Sequence, residues 1–558
     1  MAKWLLSLSP PRPAPLLVLP SASICSPSTL YSPSSSLVTP PISCKLSFSS
    51  IRSPPAMQFV SNRLSLSKSK RRASVEDDTS VSSAFIADGS EESVDWVAAI
   101  LPFLFPALGG ALFGYDIGAT SGALISLTSA ELSGTAWYSL TPIQTGLVVS
   151  GSLYGALIGS ILAFKISDTL GRRKELLVAA SLYILGALST SFASNLNLLL
   201  IGRVLYGLGI GLAMHGAPLY IAETSPSKIR GTLVSLKEAF IVLGILFGYL
   251  IGNLEIGAVG GWRIMYGFAA PVALTMGLGM WWLPPSPRWL LLSAVQGKET
   301  LQAAKRNAAQ ALSRLRKGKV SNEALEVQVE KTLESIQSSN VKEEPKFSEV
   351  FEGTSLKALK VGAGLVFFQQ VTGQPSVLYY AASILQSAGF SAASDATRVS
   401  IVIGIFKLLM TAVAVFKVDE LGRRPLLIAG VGGLILSLFL LGGYYSVGQS
   451  YPVLAVISLL LYVGCYQISF GPISWLMVSE IFPLRTRGRA LSIAVLVNFA
   501  SNALVTFLFA PIQNLLGAAS TFFTFGIVGI ISLLFIISSV PETKGLSLEE
   551  IEDKLSKG

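Results

Sequence analysis

Histidine occurs once in 558 residues, cysteine three times, and only 13% of the chain is charged, about half the share of an average soluble domain. Each scarcity excludes something. With His215 as the sole imidazole, a multi-histidine metal site is ruled out, and Ser-His-Asp chemistry has one candidate set in an apolar, Gly-rich stretch. That setting reads as a packed helix residue, with a proton relay as the alternative. Cys25 and Cys44 lie near the N-terminus, which leaves Cys465 alone within the apolar run 459–465. A chain shortened at its N-terminus then has no intrachain disulfide and no cysteine metal cluster, so neither a metal nor a cofactor is expected. No G-x-x-x-x-G-K-[ST] is present to cradle a nucleotide, which removes the support for ATP-driven pumping. The low charge itself argues against an ordinary soluble enzyme.

Acids are missing altogether from residues 1–75, which hold nine basic residues, 20 Ser and 11 Pro. The formal charge of +10 therefore belongs to this leader: without its nine bases, 33 Lys and Arg face 32 Asp and Glu. A nucleic-acid partner loses its main support. Ser-rich, acid-poor composition suits a transit peptide, and the dense prolines work against a mitochondrial amphipathic helix. The reading favoured is a chloroplast transit peptide; a disordered tail or a secretory signal are the alternatives.

What the rest of the chain has in abundance is long apolar stretches, each about the 20 residues that cross about 30 Å of hydrocarbon as a helix. Twelve occur, near 97–123, 141–165, 175–193, 196–221, 231–252, 262–283, 357–386, 395–417, 425–445, 452–477, 489–513 and 519–540. The expected fold is an all-α membrane protein of two six-helix repeats. Its organisation would be a leader over 1–75, an acidic juxtamembrane segment over 76–96, halves over 97–284 and 357–540, a hydrophilic helical linker over 285–356 and a tail over 541–558. Loops after the second, fourth, eighth and tenth stretches carry Arg172, Arg173 and Lys174, then Lys228 and Arg230, then Arg423 and Arg424, then Arg485, Arg487 and Arg489. The alternate loops carry almost no bases. The positive-inside rule puts the basic loops, the linker and both termini in one compartment, the stroma if the membrane is the inner envelope of a plastid.

The halves repeat one another. Gly171-Arg172-Arg173 recurs as Gly422-Arg423-Arg424 at an offset of 251; Glu223 and Arg230 recur as Glu480 and Arg487, and Pro284 as Pro541, both at 257. Repeated halves flanking a midplane site are the architecture of a secondary transporter. At each basic loop the Arg pair presents forked donors to acids and to the carbonyls that end helices. Asp168, Arg172, Arg173, Glu223 and Arg230 in the first half, with Asp419, Arg423, Arg424, Glu480 and Arg487 in the second, are the gating charges expected. A network of these joining the halves would hold one side shut; the alternative is that they only orient helices.

Ionisable groups inside the apolar stretches are few, and each costs roughly 2.5 to 3.5 kcal/mol at a helix centre. Asp116, in GALFGYDIGATSG, is the foremost. Close Gly-mediated packing would strip its water while Arg203 would stabilise its charge, so a carboxyl switched by an approaching arginine is a proton carrier. A static Asp-Arg pair is the alternative. Glu238 and Lys407 are two further groups, expected to be paired or to titrate together.

The motifs GRRK and GRRP, PLYIAETSPSKIRG, LPPSPRWL, FFQQVTGQPSVLYY, GPISWLMVSEIFP and PETKGLS together resemble the sugar porter family of the major facilitator superfamily, over about residues 97–550, and within it the plastid-targeted xylose-proton-symporter-like branch. The resemblance implies proton-coupled movement of a neutral sugar by alternating access, since coupled members carry Asp where Asp116 stands and facilitators carry Asn. It places sugar contacts at Gln369, Gln370, Tyr379, Trp475 and Asn498, with amides for hydroxyl pairs and an aromatic face for the ring. Departures are Thr169 for Arg, Pro285 for Glu in the PESPR-like motif, Glu238 for Gln at the sugar site and Pro375 for Asn. Glucose, xylose and sucrose stay open as cargo. The partners implied are the sugar, the proton and the bilayer, with a monomer as the working unit. An uncoupled facilitator and a non-transporting sugar sensor are the rival functions.

Overall fold

The structure, a computed structural model, describes residues 96–557 apart from 227–228, 317–320, 341–346, 448–450, 484–485 and 547; a few helical side chains, those of Asp168 and Asp419 among them, also lie outside the described residues. The expected leader, and the acidic segment up to Trp96, fall outside them as well. No strand occurs among the described residues.

The first half comprises α1 (Trp96–Thr128), α2 (Pro142–Leu170), α3 (Arg172–Ser191), α4 (Leu196–Thr224), α5 (Arg230–Glu255), α6 (Gly261–Gly267) and α7 (Ala269–Trp282). The hydrophilic stretch follows as α8 (Pro287–Val295), α9 (Leu301–Leu315) and α10 (Asn322–Asn340), which bury Leu290, Ala308, Leu312, Val329 and Ile336 against one another. The second half holds α11 (Gly353–Val371), α12 (Gln374–Tyr379), α13 (Ala381–Ser387), α14 (Ala393–Leu421), α15 (Arg423–Ser446), α16 (Pro452–Ile468), α17 (Phe470–Ile481) and α18 (Arg487–Ser539), and α19 (Leu548–Lys557) ends the chain. Nine helical stretches among the described residues are long and apolar enough to cross a membrane.

Four of the expected apolar stretches take a form that periodicity did not reveal. The seventh is split into α11, α12 and α13: Gly373 turns at φ +94° and Pro375, with no N–H to give, occupies the first turn of α12. The tenth breaks at Ser469 (φ −102°, ψ −94°), just ahead of Gly471-Pro472. The last two run on as the 53-residue α18, kinked where Gly517 adopts φ +79°.

Local chemistry starts the helices where the sequence changes. Thr141 caps α2 by accepting from the Gln144 amide at 3.3 Å, and the Gln144 side chain accepts from the Thr141 N–H at 2.9 Å. Between helices, lipid supplies no hydrophobic drive, so small residues that let backbones touch supply the packing. A Cβ on Gly207 of α4 would stand 2.0 Å from the Ser152 carbonyl oxygen of α2 and 2.8 Å from the Gly155 Cα. Gly207→Val should therefore force α2 and α4 apart at a cost of about 3 kcal/mol, read as a lowered unfolding midpoint of the purified protein. An unchanged midpoint would show that the helices do not meet there.

Between the halves, contact concentrates at the end away from the basic loops. There Ser121 Oγ accepts from Ala382 N at 2.9 Å, Tyr249 OH donates to Leu378 O at 2.9 Å and Thr397 Oγ1 donates to Asn253 Oδ1 at 3.0 Å.

Candidate functional site

Asp116 on α1 and Arg203 on α4 are 3% and 1% exposed and form an ion pair through Arg203 Nη1 and Asp116 Oδ1. The rest of the guanidinium is fully used: Nε donates to Val148 O at 3.0 Å, and Nη2 donates to Val149 O and to Ser152 Oγ, each at 3.1 Å. The Tyr266 ring lies 5.0 Å from its carbon. On the carboxylate, Oδ2 accepts from Ser152 Oγ at 2.7 Å and from Tyr379 OH at 3.4 Å. Ser152 and Tyr266 were not foreseen, because helix-to-helix register leaves no local mark in a sequence. A void of about 10 Å³ beside the pair, walled by Tyr115, Tyr206 and Tyr266, is the size of one water and far too small for a sugar. This corner of the protein can hold a proton, not a cargo molecule.

The amides expected to meet the sugar cluster in the second half. Gln369 Nε2 donates to Phe470 O at 2.8 Å, which ties α11 to the break before α17. Gln370 Nε2 donates to Asn498 Oδ1 at 2.6 Å and lies 3.4 Å from Gln369 Oε1. Trp475 on α17 is half-buried against the same core. Tyr379 sits on α12 and points its hydroxyl away from these amides, to Asp116 of the other half.

Two expectations need correction. Glu238 and Lys407 make no direct ion pair, although the Glu238 charge acts on Lys407 across the halves. Glu238, half exposed, takes the ammonium of its neighbour Lys237 at 3.0 Å, while Lys407 donates to Gln467 Oε1 at 2.5 Å and lies 5.6 Å from the Tyr466 ring. Each has a direct partner within its own half. The ion pairs described among the gating charges also stay within a half. Arg172 meets Glu223 at 3.2 Å, and Arg423 donates to Glu480 at 3.0 Å, each within one half. The halves meet at the opposite end, and these two ion pairs on the basic side each lie within one half.

The basic turns keep the symmetry of the repeat. Arg173 donates to Met280 O at 3.1 Å and to Trp281 O at the end of α7, and Arg424 donates to Ile537 O at 2.7 Å at the end of α18. Arg487 Nε donates to Phe482 O at 3.2 Å, and Arg230 is exposed at the start of α5. Asp168 and Asp419 lie outside the described side chains. Both turns hinge on glycines with positive φ, +81° at Gly171 and +92° at Gly422.

They close differently. Glu542 accepts from the backbone N–H groups of Arg423 (3.1 Å), Arg424 (3.0 Å), Thr543 (2.9 Å) and Lys544 (2.9 Å), and Thr543 Oγ1 donates to Glu480 at 2.6 Å. In the first half Pro285 takes the place of that acid; Trp289 packs over Gly171, and Ser286 Oγ donates to Glu223 at 2.5 Å. Partial burial works against the Glu542 charge, but the four amides outweigh it and hold the carboxyl below its usual range.

Glu542→Gln should cost about 1 kcal/mol at neutral pH, the worth of a helix cap. Because the folded carboxyl titrates below the unfolded one, its contribution is whole above about pH 4.3 and fades as the pH falls through the folded value. Unfolding midpoints of wild type and variant should then converge in acid. Parallel curves would show that the carboxylate charge is idle.

His215 Nδ1 lies 2.9 Å from the fully buried Glu175 Oε1.

Two repeated helical halves, few charges within the membrane and a sealed Asp-Arg pair define a secondary transporter of the major facilitator type. The chain belongs to the family described as "Sugar (and other) transporter", whose model matches residues 103–555. It is 65% identical over 474 residues to "D-xylose-proton symporter-like 3, chloroplastic" of Arabidopsis thaliana, with 85% of each chain covered. It is 36% identical to a D-xylose transporter of Levilactobacillus brevis, covering 81% of this chain and 95% of that one. Among solved structures, the inward-open xylose transporter XylE of E. coli matches with a TM-score of 0.67 at 30% identity, covering 81% of this chain and 98% of that one. The protein is thus a multi-pass membrane sugar porter and not an enzyme.

Proposed function

We propose that this porter couples the movement of a neutral sugar to a proton carried by Asp116, in the inner envelope of a plastid. The observation that carries the reading is the hydrogen bond from Tyr379 to Asp116. It joins the buried carboxylate of the first half to the short helix that follows the sugar-facing amides of the second. When the halves rock, this bond must be remade with the others between them, and it is the one that ends on the carboxylate, so proton occupancy and sugar-side geometry are tied. Arg203, held by α2 carbonyls, is the fixed counter-charge. Gln369, Gln370, Asn498, Trp475 and Glu238 are the sugar contacts.

The relatives add support: symport is in the names of the Arabidopsis proteins, and one of them is named as chloroplastic. The Ser-rich, acid-free leader fits import into a plastid, and the basic loops then face the stroma. A monomer suffices, since the proton site and the amide cluster lie within one chain. Glucose, xylose and sucrose are the cargo candidates, with Glu238 and Pro375 altering the hydrogen-bond pattern of a plain pentose site.

The test is reconstitution in liposomes with each labelled sugar, monitoring internal pH. Sugar-driven proton influx by one of the three supports the reading; uptake without proton movement would make the chain a facilitator with a static Asp116-Arg203 pair. Import of the tagged full chain into isolated plastids, followed by envelope fractionation, checks the location.

A further inference from the structure

A cavity of about 270 Å³ opens between the ends of the first-half helices and the linker helices α8 and α10. It shares Ala222, Glu223, Arg230 and Arg288 with an adjoining cavity of about 420 Å³. Four cations from four helices line it: Arg230 at the start of α5, Arg288 in the first turn of α8, Arg316 at the end of α9 and Lys331 on α10. The one acid on its wall, Glu223, is already engaged by Arg172 and Ser286. None of the four cations has a side-chain hydrogen bond or ion pair among the described residues. Elsewhere the linker does pair its charges, as Lys305 does with Glu330 at 2.7 Å.

Arg230, Arg288 and Lys331 are exposed and Arg316 is partly buried, so all four charges stand open to an anion that enters the hollow from solvent. We propose that this cavity is a binding site for a phosphate monoester. Three arginine forks match phosphate oxygens, and the lysine adds a point charge opposite them. The net charge suits a dianion, and the volume admits a small organic body on the phosphate. None of the sugar-facing amides lines the cavity, so the bound molecule is an effector and not the cargo. By bracing α5 to the linker, it would hold the first half in the arrangement described here.

The test uses the full chain in nanodiscs of phosphatidylcholine, with inorganic phosphate and glycerol 3-phosphate as probes in equilibrium dialysis. Saturable one-to-one binding is expected, weakened about thirtyfold or more in the Arg316→Gln/Lys331→Gln double variant, which loses two charge-assisted contacts. Arg316→Lys, which keeps the charge but not the fork, should lie between. An unchanged unfolding midpoint of the variants without ligand checks that they fold. If soluble esters do not bind, but discs doped with phosphatidic acid raise the midpoint of wild type and not of the double variant, the site takes its phosphate from a lipid headgroup. If neither probe separates wild type from the variants, the proposal is overturned.

Discussion

Asp116→Asn is expected to abolish uphill accumulation of sugar while leaving sugar exchange in place. For one proton carrying one charge, 100 mV supplies about 2.3 kcal/mol, or roughly a fiftyfold concentration ratio. In liposomes under that potential the wild type should approach this ratio and the variant should settle near equality. Asparagine keeps the shape of the group and can still face Ser152 and Arg203, but it binds no proton at any working pH. Its uptake should accordingly lose its dependence on the pH of either compartment. The substitution also leaves Arg203, 1% exposed, without its counter-charge, which costs about 3 to 5 kcal/mol when a buried pair is broken. Part of that cost is relieved because the guanidinium still donates to the Val148 and Val149 carbonyls. Sugar exchange across the membrane is the control that separates an uncoupled carrier from an unfolded one. Accumulation by the variant at the wild-type ratio would remove Asp116 from the coupling.

Gln370→Ala should weaken sugar binding by about 10²-fold. The side chain is 6% exposed and donates to Asn498 Oδ1 at 2.6 Å. Its removal deletes one amide from the cluster and leaves the Asn498 oxygen without that donor, a double penalty of about 2 to 3 kcal/mol for buried polar groups. The structure tolerates the loss better than the site does, because Gln369 still ties α11 to Phe470. Sugar titration of the purified protein by calorimetry is the measurement. A dissociation constant within threefold of wild type would take the amide cluster out of recognition.

Much of this molecule was legible in its residues, for reasons that differ from part to part. The apolar stretches, the basic turns and the duplication are written in composition and spacing, and Asp116 and Arg203 drew notice because charge is costly in an apolar stretch. Ser152 and Tyr266 carry no such mark, since a hydroxyl and a ring are ordinary there; only the approach of α2 and α4 at Gly207 places Ser152 beside the pair. Tyr379 was read as a sugar contact from its motif, yet its hydroxyl reaches 263 residues back along the chain. Lys407 misled for the opposite reason: an isolated ammonium invited a distant acid, and a neutral amide on the neighbouring helix proved sufficient. Glu542 lay in a quoted motif, but its task, capping the start of α15, depends on a turn whose closure no linear pattern displays.

The contact between Tyr379 and Asp116 has a thermodynamic corollary. If protonation of the carboxyl changes sugar affinity by some factor, sugar must change proton affinity by the same factor, since the two equilibria close one cycle. Cargo identity then becomes readable without transport at all. A sugar that belongs to this carrier should make the detergent-solubilised protein take up or release protons in a weakly buffered solution, and one that does not belong should leave the pH still.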